Sequence, residues 1–207
     1  MLHALHDMNF DRTYWCDFGV LPQVGQPALR FSYDFRSSDP PGASVRTQSA
    51  DGIDWFGEFQ RGNGGTSIAC RGPTPGHLTF ITDGAAYVVR IDEPEHYLAV
   101  AIRPVLEVHR IPSRDILVFV GYSDITAYGS DGQLWFAEGL ALDGIGIRSI
   151  DSESVIGDAS GDDVSPARPF AIDVDTGRVT GGDARYLRSL GAGGLEPGDE
   201  TRRGGSW

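Results

Sequence analysis

Oxygen-bearing side chains recur at alternate positions in the acidic segment that begins at Asp158. Asp158, Ser160 and Asp162 occupy its first, third and fifth positions, and Asp163 follows directly. Hard cations such as Ca²⁺ take carboxylate and hydroxyl oxygens at this spacing. The sixth and twelfth positions, however, hold Asp163 and Pro169, where an EF-hand loop has glycine and glutamate. The segment therefore predicts either a weak calcium site or a solvated acidic loop that binds a partner.

A second candidate is the glycine-rich segment from Gly62 to Ser67, the nearest match in the chain to a phosphate-binding loop. Such loops precede a helix, and the P-loop also needs a lysine. Here the segment lies between two predicted strands, and all 17 basic residues of the chain are arginines. We interpret it as a hairpin loop. Gly62 and Asn63 are candidate binding residues, because loops on a rigid β scaffold often carry binding sites.

Catalytic signatures are weak in this sequence. The segment Gly121–Ile125 contains Ser123 but lacks the second glycine of a nucleophile elbow, and no zinc-binding spacing of cysteine and histidine occurs. The acid–base candidates are His77, His96 and His109, together with carboxylates. The sequence thus favours a noncatalytic protein-binding or scaffold module. The alternative is a hydrolase that acts on a glycan or an ester through carboxylates and one histidine.

The composition is that of an acidic globular protein. The chain has 207 residues and a formal net charge of −12, with 40% hydrophobic and 22% charged residues. A strongly negative protein repels nucleic acid and anionic membrane surfaces, so we expect neither as a partner. The same charge favours a basic protein partner, because it steers association.

The expected location is a bacterial cytoplasm. Arginine without lysine, together with abundant glycine, alanine and aspartate, is typical of a high-GC bacterial genome. No signal-peptide pattern stands at the N-terminus, and no run of about 18 apolar residues occurs. Cys16 and Cys70 are too few for a disulfide scaffold, and the sequence does not tell whether they pair.

Periodicity predicts an all-β fold of about a dozen short strands with few or no helices. Residues 29–36 alternate apolar and polar side chains, as a half-buried strand does. The Asp83-Gly84 pair between alternating segments is typical of a tight hairpin. Pro104 divides the apolar segment Tyr97–Ile111, and we expect a bend, a bulge or an edge position there.

The chain also repeats a strand–turn–strand unit. Residues 125–135 contain Ala-Tyr-Gly-Ser-Asp-Gly-Gln-Leu-Trp, and residues 169–179 contain Ala-Ile-Asp-Val-Asp-Thr-Gly-Arg-Val. Their turn glycines, Gly132 and Gly177, lie 45 residues apart. Within residues 115–182 these phrases resemble the blades of quinoprotein-like β-propellers, although Thr180 replaces the closing tryptophan. The resemblance implies four-stranded antiparallel meanders.

The predicted architecture is an antiparallel β-sandwich, a small barrel or a partial propeller. We expect residues 1–28 to pack on the domain, residues 29–190 to form it and residues 191–207 to be a disordered tail. The domain divides into candidate halves at 29–111 and 115–182. A four-stranded meander is predicted from Ile116 to Asp151. Open sheets expose their edges, so a homodimer that covers them is also expected.

Overall fold

The structure is all-β, as the sequence predicts. The computed structural model describes residues 14–22, 24–33, 42–49, 51–161 and 166–182. Within these residues the chain forms four sheets of four strands each and one short 3₁₀ turn at Pro112–Arg114. None of the four closes on itself, so the described residues do not form the small barrel that was one of the predicted alternatives.

Four consecutive groups of strands make up the sheets. The first contains β1 (Tyr14–Phe18), β2 (Ala28–Phe31), β3 (Ala43–Ser49) and β4 (Asp54–Phe59). The second contains β5 (Ile68–Arg71), β6 (His77–Thr82), β7 (Ala85–Arg90) and β8 (Leu98–Ala99). The third contains β9 (Glu107–Ile111), β10 (Ile116–Val120), β11 (Ile125–Gly129) and β12 (Gly132–Ala137). The fourth contains β13 (Ile145–Ile150), β14 (Ser154–Ala159), β15 (Arg168–Asp173) and β16 (Val179–Gly181).

The last three sheets are antiparallel meanders, in which each strand pairs with the next along the chain. The first differs, because its spatial order is β1–β3–β4–β2 and β2 runs parallel to β4. The predicted N-terminal segment 1–28 includes β1 (residues 14–18), which pairs with β3 in this first sheet. Residues 1–13 and the predicted tail at 191–207 lie outside the described residues. The border between the candidate halves falls within the third sheet, where β9 pairs with β10.

The core lies between successive sheets, because neighbouring residues of a strand point to opposite faces. In β6, Phe80 packs in the cluster with the first sheet and Ile81 in the cluster with the third. In β10, Phe119 packs toward the second sheet and Val118 toward the fourth. Three apolar clusters thus join the four sheets in chain order.

The outward faces of the first and fourth sheets are charged instead. On the first, Arg46 forms a 2.7 Å salt bridge with Asp54 and lies 5.6 Å from the centroid of the Phe56 ring. On the fourth, Arg148 of β13 pairs with Asp158 of β14. No apolar cluster of the described residues joins these two faces. The sheets therefore form an open stack.

Two tryptophans connect neighbouring sheets through similar hydrogen bonds. The indole N–H of Trp55 in β4 donates to the carbonyl of Ile91, just after β7, at 3.1 Å. The indole N–H of Trp135 in β12 donates to the carbonyl of Val174, just after β15, at 2.7 Å. Trp135 also packs against Gly177, where an added Cβ would lie 2.5 Å from the Trp135 Cβ. The two copies of the sequence repeat thus contact each other.

The predicted meander from Ile116 to Asp151 is wrong in its grouping, although its four strands exist. The strands β10, β11 and β12 pair with β9, whereas β13 pairs with β14 in the fourth sheet. Between β12 and β13 the chain buries Leu140 and Ala141 in the cluster that joins these sheets. This apolar connection carries β13 to the neighbouring sheet.

Two local predictions are confirmed. Asp83 and Gly84 have φ angles of 46° and 80° and connect β6 to β7 as a tight hairpin. The segment that contains Pro104 is interrupted there, with β8 before it and β9 after it.

The meander topology gives the stack two different ends. At one, which we call the crossing end, the chain passes from sheet to sheet through residues 60–67, 100–106 and 138–144. At the other, which we call the turn end, hairpin turns of neighbouring sheets lie beside one another, among them 72–76 and 130–131. Side chains at one end therefore come from several sheets.

Replacing Gly177 by alanine should destabilise the fold more than the same change at Gly19. Both glycines have a left-handed backbone, with φ of 69° and 73°, so each variant loses about 1 kcal/mol to backbone strain. Only the new methyl group at Gly177 would collide with Trp135, since nothing lies within 4 Å at Gly19. We expect a further loss of about 1–3 kcal/mol for Gly177→Ala in urea unfolding. Equal losses would contradict the packing of Trp135 on this turn.

Candidate functional site

A cleft of about 480 Å³ opens at the turn end of the stack. Turns of three successive sheets build it, and its walls are formed by Ser49, Asp51, Ile53, Thr74, Gly76, His77, Arg90, Ile91, Asp92, Ser130 and Asp131. The β3–β4 and β11–β12 turns flank the second sheet, whose own turns form the middle of the cleft. The stacking of hairpins thus gathers polar side chains that are far apart in sequence. We call this the turn-end cleft.

His77 is a buried side chain of the turn-end cleft, with 9% of its surface exposed. Its Nδ1 lies 2.6 Å from the Thr74 hydroxyl, within the turn that precedes β6. The Tyr14 hydroxyl donates to the His77 carbonyl, also at 2.6 Å. Burial lowers the pKa of His77, and the opposite residue in β7, Arg90, lowers it further. The imidazole is therefore neutral at pH 7 and held in place by its neighbours.

Arg90 carries the positive charge of the cleft, and its own neighbours already neutralise it. Its guanidinium lies 3.1 Å from an oxygen of Asp92 and 3.0 Å from an oxygen of Glu93. The hydrogen bond from Arg90 holds the pKa of Asp92 below its usual range. Asp92 is consequently ionised at neutral pH.

Asp51 and Asp131 add two carboxylates from the first and third sheets. Neither forms an ion pair within 4.0 Å among the described residues. The cleft thus presents three carboxylates, counting Asp92, against one arginine and a neutral histidine. This arrangement has the chemistry to bind a cationic group.

The acidic segment of the sequence analysis is described only in part. Asp158 lies on β14, where its carboxylate pairs with Arg148. The carbonyl of Ser160 accepts hydrogen bonds from the N–H groups of Leu142 and Asp143 at 3.0 and 3.1 Å. Asp162 and Asp163 lie outside the described residues. Within the described part of the chain, no group of three or more acidic, histidine or cysteine side chains is placed to hold a metal.

The other predicted binding residues, Gly62 and Asn63, lie at the crossing end. They line a smaller cleft of about 250 Å³ together with Tyr33, Gly84, Arg103 and Pro104. The loop is fastened to the next hairpin, because the N–H groups of Gly62 and Gly64 donate to carbonyls of residues 82 and 83 at 3.0 and 3.1 Å. The described residues of both predicted binding loops therefore lie outside the turn-end cleft.

The three candidate histidines are not brought together. His77 lines the turn-end cleft, whereas Nδ1 of His96 lies 3.6 Å from Glu93 and Nε2 of His109 lies 2.8 Å from Glu107. Only His77 shares a cleft with several carboxylates. Of the three candidate histidines, His77 is therefore the one placed for an acid–base role in this cleft.

The cysteines are not suited to nucleophilic chemistry. Both are free thiols. Burial raises the pKa of Cys16 to about 11 and that of Cys70 to about 12. Because the thiolate is the reactive form, neither side chain is a nucleophile at neutral pH.

Comparison with known proteins does not assign the chain to a family. No protein-family model matches it, and no curated protein matches it. A separate finding is that no helix of the described residues has the length and apolarity needed to cross a bilayer. The resemblance of residues 115–182 to propeller blades stays a prediction.

Sequence reasoning missed most of the turn-end cleft. Asp51 and Asp131 each precede a glycine in a hairpin turn, and such a pair is fully explained by turn chemistry. The signal for the cleft is that aspartates occur in turns at the same end of neighbouring sheets. This signal can be recognised only after the strands have been assigned to sheets. Thr74 and Arg90 gave no signal of their own.

Acidification should destabilise the protein partly through His77. Its pKa in the folded state lies below the ordinary histidine value of about 6.5, so below about pH 6.5 the unfolded chain binds the proton more readily. Stability contributed by neutral His77 is therefore present at pH 7.5 and is lost as the pH falls. We expect His77→Asn to lose less stability than the wild type between pH 7.5 and pH 5 in urea unfolding. His96→Asn, at an exposed position outside the cleft, is the matched control for loss of a histidine. An equal effect in the two variants would contradict the role of His77.

Calcium should leave the melting temperature unchanged, because the carboxylate of Asp158 is already engaged by Arg148. Thermal unfolding in millimolar calcium and in chelator measures this, since a ligand of the folded state raises its stability. A higher melting temperature in calcium that disappears in Asp158→Asn would instead support the calcium site.

Proposed function

We propose that this protein is a noncatalytic binding module that recognises a basic segment of a protein partner at the turn-end cleft. The observation that carries the proposal is the uncompensated charge of Asp51 and Asp131, beside an arginine that Asp92 and Glu93 already neutralise. The net charge of −12 adds a long-range attraction for a basic partner. The partner chemistry that fits is an arginine- or lysine-rich segment.

The size of the cleft agrees with recognition of a few side chains. Its volume of about 480 Å³ lies within the range of small-molecule and peptide-side-chain sites, about 300–1,000 Å³. Asp51 and Asp131 approach from turns on either side of the second sheet, so a guanidinium or ammonium group in the cleft has carboxylates on both sides. Ile53 and Ile91 supply apolar surface for the methylene groups of such a side chain.

A labelled hexa-arginine peptide should bind the wild type more tightly than the double variant Asp51→Asn/Asp131→Asn. Each lost charge pair is worth about 0.5 kcal/mol at a partly exposed site, so we expect a loss of about fivefold in affinity. Fluorescence anisotropy measures both affinities. Raising the salt concentration should reduce the difference, because salt screens exposed charges.

The matched control is Asp17→Asn/Glu138→Gln, which removes the same charge at exposed positions outside the cleft. It should retain wild-type affinity apart from a small change at low salt. Equal weakening in the two double variants would mean that only overall charge attracts the peptide. Unchanged binding in the cleft variant would remove the cleft from the proposal.

A second proposed function is a hydrolase that acts on an ester or a glycan, with His77 as the general base. The observation that favours it is that His77 is neutral, has its Nδ1 fixed by Thr74 at 2.6 Å and shares the cleft with Asp92 and Asp131. A neutral imidazole held by one nitrogen has the other available to take a proton from water. Asp92 and Asp131 then stabilise the imidazolium.

Turnover of p-nitrophenyl acetate and of p-nitrophenyl glycosides distinguishes the two functions. The hydrolase proposal requires turnover above the buffer rate that falls at least about 100-fold in His77→Asn, the usual contribution of a general base. His109→Asn is the control and should keep the rate. If the folded protein shows no turnover, the hydrolase proposal is excluded for these substrates and the binding-module proposal stands.

A further inference from the structure

The smaller cleft at the crossing end contains an arginine held in an unusual setting. The guanidinium carbon of Arg103 lies 4.2 Å from the centroid of the Tyr33 ring. The Tyr33 hydroxyl donates to the carbonyl of Arg61 at 3.2 Å, which fixes the ring. Stacking on an aromatic face uses the plane of a guanidinium and leaves its in-plane N–H groups available.

Arg103 differs from most arginines of the described residues in its electrostatic partners. Arg46, Arg90, Arg148 and others pair with carboxylates within 4.0 Å. Arg103 forms no such pair with any described carboxylate, although the protein has a net charge of −12. Among the described residues this cation thus has no carboxylate within 4.0 Å, and the surrounding cleft of about 250 Å³ has room for a small group.

Backbone packing keeps the floor of this cleft in place. A Cβ on Gly84 would lie 2.0 Å from the Gly64 carbonyl oxygen, and one on Gly62 would lie 2.2 Å from the Asp83 carbonyl oxygen. The N–H of Gly84 donates to the carbonyl of Thr66 at 2.9 Å. The loop and the hairpin are therefore in close contact, and the Asn63 side chain adds an amide to the lining.

We propose that the crossing-end cleft binds a carboxylate group, with Arg103 as its bidentate partner. The planar guanidinium presents two parallel N–H groups, which match the two oxygens of a carboxylate. A singly charged carboxylate suits the site better than a phosphate dianion, because Asp83 adjoins the lining residue Gly84 and is balanced, among the described residues, by Arg61 alone at 3.7 Å. The site lies at the opposite end of the stack from the turn-end cleft, so it does not depend on the proposed function.

Titration of the full-length ¹⁵N-labelled protein at pH 7.5, where inorganic phosphate is mainly a dianion, tests the site through the backbone amides of residues 62–65. The probes are sodium acetate, a free acid, and N-acetyl-glutamate amide, a carboxylate on a peptide side chain, each matched by sodium chloride of equal ionic strength. We expect saturable shifts with a Kd on the order of 1–10 mM. Saturation by one probe or by both supports the site and identifies which source of carboxylate it accepts.

The variants separate recognition from charge. Arg103→Gln should abolish saturation, and Arg103→Lys, which keeps the charge but loses the planar fork, should weaken binding about tenfold. Arg30→Gln removes an equally positive, 80% exposed side chain elsewhere and should bind like the wild type. If Arg103→Gln does not fold, the test is whether Arg103→Lys weakens carboxylate binding relative to the wild type. Shifts that chloride reproduces, that survive in Arg103→Gln, or that phosphate produces at lower concentration than acetate would overturn the proposal.

Discussion

The two middle sheets each have two apolar faces, and this constraint organises the whole molecule. A sheet of this kind is stable only when another element covers each side. In β6 and β10 successive residues pack into different clusters, so a single strand contributes to two interfaces. The first and fourth sheets each have one apolar face, which covers a middle sheet, and one face that carries ion pairs. The apolar faces of the middle sheets are therefore covered without a fifth sheet.

The clefts follow from the same stacking. Because each sheet is a meander or close to one, its turns fall at two ends and lie beside the turns of its neighbours. At the turn end, carboxylates of three sheets meet around His77. At the crossing end, a glycine loop and a hairpin leave room beside Arg103. The two sites have opposite charge, and each is assembled from segments whose strands are fixed by the core.

Fold class and several strand positions were predictable from the sequence, because alternation and turn residues are local signals, whereas β3 and β14 were missed. Asp83-Gly84 and the interruption at Pro104 are examples. The assignment of β13 to the fourth sheet was not predictable, since it depends on where Leu140 and Ala141 are buried. The sites were harder still. Asp51 and Asp131 have the same local pattern as any hairpin turn, and the isolation of Arg103 from carboxylates is a property of three-dimensional packing.

The charged outer faces have a consequence for how the number of sheets is set. The second and third sheets are apolar on both faces, so a further sheet could pack on either face of such a sheet. Their own strands therefore do not limit the number of sheets. Arg46 with Asp54 on one side, and Arg148 with Asp158 on the other, give the described series of sheets two outer faces that carry ion pairs. A fifth sheet packed on either face would have to bury these ion pairs, at a desolvation cost that the apolar faces of the middle sheets do not impose.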